Sequence, residues 1–309
     1  MEKTLHITNG DAVTNRLDTL GVRGEKLTWR EMCCEGPTEL DLLSVRNIRK
    51  RKAFLSEAYG ISGEDYQKFF VDQIKNFGNF HQFDEIVLWF EFDLFCHINM
   101  IAAISLLQKK EVTAPIYLVC SGRVSNEREM KGLAELTPKQ FEQHYKKKVR
   151  LTEEDILLAK HVWTLYCEDD PARIANQIKT KSSFAYLSSC LRAHLQRYPN
   201  MKSGLNTMEQ NILSLIDTHE IKNVKQLLGY ALSYQGYYGY GDIQMKRVLD
   251  QLSFFYKKTR KGIVLTDKGK EALHKENNFY RDLVQPWSYG GSMKYDFLYN
   301  GETHKLLKL

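Results

Sequence analysis

Apolar and polar residues follow one another along the first 125 residues in patterns that predict strands and helices in turn. Four strands are predicted from short apolar runs at residues 5–8, 26–29, 85–90 and 115–120. Helices are predicted from apolar residues at helical spacing at residues 13–20, 40–59, 62–77 and 94–109. Strands that alternate with helices favour parallel pairing with right-handed crossovers. Residues 1–125 are therefore predicted to form an α/β domain with a mainly parallel sheet.

Beyond Gly122 the strand signals end and the pattern predicts helices. Thr137 stands before Pro138, and Thr152 stands before three acidic residues, and both arrangements are typical helix starts. Residues 126–204 are therefore predicted to be an all-helical connector.

From Asn206 the chain predicts a winged-helix-like segment. Over residues 205–276, three helical stretches are followed by a basic turn ending at Gly262, a short apolar strand and a further helix. The remaining residues, 277–309, are predicted to form a C-terminal tail that packs back on the rest. The predicted fold is thus an α/β domain followed by a mostly α region with a winged-helix-like segment.

The composition is that of a globular protein rather than a disordered or membrane-embedded one. Hydrophobic residues make up 43% of the 309 residues and charged residues 27%. The apolar windows at residues 86–96 and 98–107 are too short to span a bilayer, and the N-terminus lacks a signal-peptide pattern. The six cysteines include no C-x-x-C pair, which indicates reduced and mostly buried thiols. We therefore expect a cytoplasmic protein with no membrane partner.

Polar side chains follow the predicted strands at their carboxyl ends, where open parallel sheets bind ligands. Asp11 follows the first strand, Glu35 follows the second, and Glu91 and Asp93 follow the third. If these strands are neighbours, the carboxyl groups share one rim, and His6 on the first strand points toward it. We therefore predict a site with catalytic groups His6, Asp11, Glu35, Glu91 and Asp93 and with ligand-binding residues Asn9, Gly10, Arg30 and Asn99.

Such a cluster of carboxyl groups has two chemical uses. Crowded carboxyl groups raise one another's pKa, which suits acid–base work near neutral pH. Their oxygens also suit a divalent cation such as Mg²⁺. Gly10, beside a helix start, lets backbone N–H groups approach an anion, and Arg30 or the basic run at residues 46–52 would supply positive charge. The predicted ligand is therefore small and anionic or phosphate-bearing.

Each of these residues also has a purely structural interpretation. Asp11 and Asp93 are suited to cap the helices that follow them, and Glu35 is suited to a solvent-exposed turn. His6 within an apolar strand is typical of a hydrogen-bonded core residue. A scaffold without chemistry is the alternative that results if the carboxyl groups do not face one cavity.

A further alternative, a nucleic-acid-binding regulator with an α/β sensor domain, follows from the basic C-terminal segment. The third helix of that segment is expected to present Gln244, Lys246 and Arg247 outward, and the turn after it is rich in lysine and arginine. Tyrosines and glycines alternate at residues 234–241 and predict either a ligand lid or a plain turn between helices. The residues expected at the nucleic-acid interface are Lys246, Arg247, Lys258 and Arg260.

The chain resembles the bacterial family called domain of unknown function 1835. The resemblance lies in residues 6–11 (HITNGD), 29–31 (WRE), 35–37 (EGP) and 88–95 (LWFEFDLF) with Asn99, and it continues at residues 195–199, 204–205, 265–269 and 290–291. Glu31 and Phe92 depart from the family pattern, in which Asp and His are usual, so any role of that histidine is in doubt here. The resemblance implies a shared fold and a polar rim at His6, Asp11, Glu35, Glu91 and Asp93. It implies no activity, and so it leaves open whether the protein is an enzyme.

Overall fold

The computed structural model of the chain describes residues 3–124, 127 and 129–309. The boundary predicted between residues 125 and 126 lies outside the described residues, as do the first two residues. The strands are β1 (Thr4–Asn9), β2 (Glu25–Trp29), β3 (Gly36–Pro37), β4 (Glu85–Phe90), β5 (Ile116–Cys120), β6 (Val149–Arg150), β7 (Tyr256–Thr259), β8 (Gly262–Leu265), β9 (Ser288–Gly290), β10 (Ser292–Met293), β11 (Phe297–Asn300) and β12 (Lys305–Lys308).

The helices alternate with these strands in the first part of the chain and dominate its middle. A π-helix at Gln67–Asp72 joins the third helix to the fourth, and a 3-10 helix occupies Pro171–Gln177. The α-helices are α1 (Asp11–Thr19), α2 (Val45–Tyr59), α3 (Gly63–Tyr66), α4 (Gln73–Phe77), α5 (Leu94–Lys109), α6 (Pro138–Lys146), α7 (Glu153–Cys167), α8 (Leu187–Leu195), α9 (Thr207–Thr218), α10 (Val224–Ser233), α11 (Asp242–Gln251), α12 (Asp267–His274) and α13 (Tyr280–Leu283).

The main sheet has the strand order β2-β1-β4-β5-β6. The pairs β1–β2, β1–β4 and β4–β5 are parallel, and β5–β6 is antiparallel. The expectation of a mixed α/β fold with a mainly parallel sheet is therefore confirmed. None of the helices in the described chain combines the length and the apolar character that a bilayer span requires.

Helices cover both faces of this sheet. α1 contributes Val13 and Leu17 to a buried cluster with Val87 and Trp89 of β4. α5 belongs to the other large cluster, which includes Leu88 of the same strand. Because successive residues of a strand face opposite sides, α1 and α5 cover opposite faces.

The direction of the crossovers reverses between β1 and β4. The chain leaves β1 through α1 to β2 on one side, and it leaves β4 through α5 to β5 on the other. We call the region at the carboxyl ends of β1 and β4 the switch point. In doubly wound sheets, ligands bind at such a point.

The sequence misplaced some elements of the middle region. The helix expected from residue 40 begins only at Val45, because Ser44 accepts the hydrogen bond from the Asn47 N–H and caps it. The connector is not all helical, since Val149 and Arg150 form the edge strand β6. A strand of two exposed residues shows no periodicity, so a sequence pattern cannot indicate it.

The C-terminal region is built from α9, α10 and α11, the antiparallel hairpin β7–β8, and α12. Ile221, between α9 and α10, forms a bridge with Ile263 of β8. The tail returns to the N-terminal part, where β9 pairs in parallel with β3. Buried residues of α9 to α12 belong to the same large apolar cluster as α5, so the C-terminal region packs directly on the strand-and-helix core.

Candidate functional site

The carboxyl end of β4 brings together two carboxyl groups and a thiol. Glu91 and Asp93 follow β4, and Cys96 lies in the first turn of α5. A carboxylate oxygen of each acidic residue and the Cys96 Sγ all lie within 4.8 Å of one another. Asp93 Oδ1 also accepts a hydrogen bond from the Cys96 N–H at 2.8 Å, so Asp93 caps α5 as well as lying in this group.

Burial makes both carboxyl groups harder to ionise. Burial, with a smaller contribution from the charge of Asp93, raises the pKa of Glu91 to about 7. The Leu133 N–H donates to Glu91 Oε1 at 2.5 Å and partly opposes this rise. Burial also raises the pKa of Asp93. A carboxyl group that titrates near neutral pH can accept and return a proton, as general acid–base chemistry requires.

The same three residues are less well suited to a metal ion. A cysteine binds a metal as the thiolate, and burial raises the pKa of Cys96 well above its ordinary value. The two carboxyl groups alone offer few of the six or more oxygens that a hard cation takes. The arrangement is therefore better suited to proton transfer than to holding a hard cation.

Asn9 and Asn99 join β1, α5 and the loop after β2. Asn99 Nδ2 donates to Asn9 Oδ1 at 2.9 Å and to the Glu31 carbonyl at 2.6 Å. Asn99 Oδ1 accepts from the Cys33 N–H at 3.0 Å, and the side chain is completely buried. Asn99 therefore holds the strand-end loop in place, whereas Asn9 lies at the edge of the site.

The N-terminus of α1 lies at the switch point without a side-chain cap. Gly10 precedes the helix with a φ of 86° and, as a glycine, supplies no side chain to cap the first turn. Uncapped N–H groups at a helix start attract anions. Beside them Arg30 Nη2 lies 2.6 Å from Asp11 Oδ1, and this hydrogen bond lowers the pKa of Asp11.

His6 lies in the core rather than at the rim. Its Nδ1 accepts a hydrogen bond from Trp89 Nε1 at 3.0 Å, and its Nε2 lies 2.9 Å from the Arg23 carbonyl. Burial lowers its pKa. His6 is therefore a neutral, fully hydrogen-bonded core residue, as the structural interpretation of the sequence had it.

Glu35 is also separate from Glu91 and Asp93, and it is fully buried rather than in an exposed turn. It accepts hydrogen bonds from the Tyr59 hydroxyl and from Gln244 Nε2, the latter at 3.3 Å. Arg247 Nη2 lies 3.0 Å from Glu35 Oε1. Glu35 thus joins the N-terminal part to α11 and does not share a rim with Glu91 and Asp93, and Asp11 pairs with Arg30 instead.

A tyrosine- and glycine-rich segment covers the switch point. The carbonyl of Tyr237 accepts from the Leu94 N–H at 2.7 Å, and that of Tyr238 accepts from the Phe95 N–H at 3.3 Å. Gly239 follows directly against the Asp93 side chain. The segment is the connection between α10 and α11, and it packs over the first turn of α5.

Three half-buried aromatic rings stand beside this cover. The centroid of the Phe92 ring lies 6.1 Å from that of Tyr186 and 6.3 Å from that of Tyr237, and the two tyrosine rings are 6.4 Å apart. Tyr186 also accepts a hydrogen bond from the Arg123 N–H at 3.0 Å. Sequence reasoning missed Tyr186, because nothing near residue 186 indicates that it meets a strand end far earlier in the chain.

The basic run at residues 46–52 is used within the protein and supplies little free charge to the switch point. Arg51 is fully buried, and its Nη2 lies 2.6 Å from Glu31 Oε1. Tyr66 donates to the other oxygen of the same carboxylate at 2.6 Å. Arg46 and Lys50 both pair with Glu39, whose oxygen lies 2.8 and 2.7 Å from them.

The expected outward face of the third C-terminal helix is only partly exposed. Gln244 is buried, and Arg247 pairs with Glu35 and lies over the Trp287 ring, 3.4 Å from its centroid. Both side chains point inward because Glu35 and Trp287, remote in sequence, supply their partners. Lys246, Lys258 and Arg260 are exposed.

Comparisons with known proteins add little to this description. No family model matches the chain, and no curated protein matches it. Among solved structures, the chain is similar to the topoisomerase II DNA-binding, cleavage and re-ligation domain of Plasmodium falciparum, at 12% identity and a TM-score of 0.48. The match covers 81% of this chain and 42% of that one, so the chain spans about two fifths of the other's length. A likeness at this level carries no argument about activity.

Proposed function

We propose that the protein binds a small anionic or phosphate-bearing ligand at the switch point and transfers a proton to or from it through Glu91. One observation carries this proposal. Glu91 and Asp93 place a half-buried and a buried carboxyl group side by side where the strand order reverses, and the pKa of Glu91 lies near neutral pH. A plain helix cap would require only Asp93.

The surroundings of this pair support a ligand with one anionic and one planar part. The uncapped N-terminus of α1 offers backbone N–H groups to a phosphate or carboxylate. The rings of Phe92, Tyr186 and Tyr237 offer a surface on which a flat group can stack. The segment that contains Tyr237 would then exclude water from the bound ligand.

The test uses variants that remove ionisation but keep the local hydrogen bonds. Glu91→Gln retains an acceptor for the Leu133 N–H, and Asp93→Asn retains a cap for α5. Wild type is screened by thermal shift against inorganic phosphate, nucleotides and sugar phosphates, and affinity for each stabilising compound is then measured by calorimetry. We expect a saturable stabilisation whose affinity changes more with pH around 7 in wild type than in Glu91→Gln, because the phosphate groups of the ligands titrate in the same range in both.

The matched control is Glu85→Gln, at the opposite end of β4. Glu85 pairs with Lys148, 2.6 Å away, and lies far from the switch point along the strand. Glu85→Gln should bind each stabilising compound with the affinity and the pH dependence of wild type. The proposal fails if no compound stabilises wild type, or if Glu91→Gln keeps the same affinity and pH dependence.

A second candidate function is favoured by the charge of the C-terminal region. We infer that α9–α12 with the β7–β8 hairpin form a winged helix, whose third strand is the bridge at Ile221, and that it binds nucleic acid. Exposed lysines and arginines with no ion-pair partner in the described chain support this: Lys246, Lys257, Lys258, Arg260 and Lys261. Such free cations suit phosphate contacts.

Fluorescence anisotropy with a duplex at several salt concentrations tests this candidate. We expect weak binding that falls steeply as the salt concentration rises. The slope of the logarithm of affinity against the logarithm of salt concentration should fall by about one in Lys258→Gln and in Arg260→Gln, because each variant removes a cation that pairs with a phosphate. Lys202→Gln is the control, because Lys202 is exposed but already paired with Glu302. Absence of binding at low salt would end this candidate.

A further inference from the structure

A small cavity lies where α9, α11 and the C-terminal tail meet. About 10 Å³ of it is open to the centre of a water molecule, which is room for one group of that size. Among the residues that line it are three cations, Arg197, Arg247 and Lys294, and one carboxylate, Glu209. It is separate from the residues assigned to the switch point.

Two of the three cations have carboxylate partners. Lys294 Nζ lies 2.7 Å from Glu209 Oε1, with both side chains buried. Arg247 Nη2 lies 3.0 Å from Glu35 Oε1. These two pairs balance two positive charges with two negative ones. The positive charge of Arg197 has no carboxylate partner among them.

Arg197 is fully buried and has only uncharged partners. Its guanidinium donates to the Cys34 carbonyl and to His194 Nδ1, the latter at 2.5 Å. The Tyr289 ring lies over it, 3.9 Å from centroid to Cζ. Within the described chain, no ion pair includes Arg197. The cluster around the cavity therefore carries one surplus positive charge.

Hydrogen-bond donors around the cavity are also unsatisfied. The Nε atoms of Arg197 and Arg247 are both buried, and neither has a hydrogen-bond partner in the described chain. A buried N–H without an acceptor and a buried cation without a counter-charge are each strongly unfavourable. An aromatic ring over a guanidinium offsets only a small part of this.

We propose that this cavity binds one small monovalent anion, a halide such as chloride. One negative charge neutralises the surplus on Arg197, and the ion accepts hydrogen bonds from the donors that line the space. Phosphate and sulfate, with four oxygens each, are too large for this space. The site would tie α11 and the tail to the segment around Arg197.

The test measures thermal unfolding in sodium chloride and sodium bromide, with sodium gluconate keeping the ionic strength constant. We expect a saturable rise in Tm with either halide. Crystals grown in bromide should show one anomalous-scattering peak in the cavity between Arg197 and Arg247.

Two variants separate the site from a general salt effect. Arg197→Met removes the surplus charge and should abolish the halide dependence of Tm. Arg192→Met changes an exposed arginine on α8, and this variant should keep the halide dependence of Tm. If Arg197→Met does not fold, the halide titration and the bromide position in wild type decide the question.

The proposal is overturned if halides stabilise no more than gluconate does, or if bromide enters the cavity in crystals without any stabilisation in solution. Glu91→Gln should retain the halide effect. Failure of this site and failure of the switch-point site can therefore be told apart.

Discussion

Gly239 lies directly against the side chain of Asp93, in a left-handed backbone conformation with a φ of 71°. A Cβ atom at this position would collide with the Asp93 carboxyl group. This contact joins the segment between α10 and α11 to the N-terminal cap of α5, so the cover of the switch point depends on one position without a side chain.

Gly239→Ala should therefore displace the cover and lower stability by about 2–4 kcal/mol, because it combines backbone strain with a steric clash. The free energy of unfolding from urea titration measures this decrease. Gly236→Ala is the control, since Gly236 has a φ of 67° but open space around its Cβ position. Its stability should fall by only about 1 kcal/mol. Equal decreases in the two variants would contradict the steric clash with Asp93.

Glu91 should make stability depend on pH between its unfolded and folded pKa values. Its folded pKa, about 7, is higher than its ordinary value of 4.5, so folding favours the protonated form. The stabilisation is complete below pH 4.5 and is lost as pH rises through 7, by at most about 3 kcal/mol. The difference in unfolding free energy between wild type and Glu91→Gln should show this pH dependence. The Glu85→Gln variant should keep the pH dependence of wild type.

Asp93 should tolerate an amide but not a methyl group. Asn is a good N-cap and avoids a buried charge, so Asp93→Asn should be as stable as wild type or more so. Asp93→Ala removes the acceptor for the Cys96 N–H and should lower stability by about 1–2 kcal/mol. Chemical denaturation of both variants measures the difference, and an Asn variant as unstable as the Ala variant would rule out capping as the structural role.

Breaking the ion pair of Arg51 with Glu31 should lower the stability of the protein far more than breaking a surface ion pair. Both side chains are fully buried, so Arg51→Met leaves an unpaired carboxylate and should lower stability by about 3–5 kcal/mol. Lys202→Met breaks the exposed pair with Glu302 and should change stability by less than about 1 kcal/mol. Denaturant titrations compare the two, and a small effect at Arg51 would show that water reaches the pair.

The cysteines should react slowly with thiol reagents in the folded protein. Burial raises the pKa of Cys33, Cys96 and Cys190 well above the ordinary value, so these thiols stay protonated at neutral pH. Cys120 and Cys167 are only partly buried and should react first. Mass spectrometry of timed labelling identifies the order, and denaturant should make all six react.

Part of the site could be predicted from sequence because its signals are local. A continuous apolar run followed by acidic residues and then helical spacing places Glu91 and Asp93 at a strand end, and the structure brings their carboxyl groups together. The same local information could not decide that His6 faces the core. Membership of the domain of unknown function 1835 family stays a prediction from the quoted motifs.

The sequence by itself determined the four parallel strands of the main sheet, the positions of most helices and the pairing of Asp93 with the start of α5. Each of these follows from apolar periodicity or from a cap within a few residues. Only the tertiary structure decided that Glu35 meets Arg247, that the segment around Gly239 covers the switch point, and that Arg197 lies buried beside two other cations. The residues in such contacts are as much as 212 positions apart, and no short-range pattern records which distant surfaces will pack together.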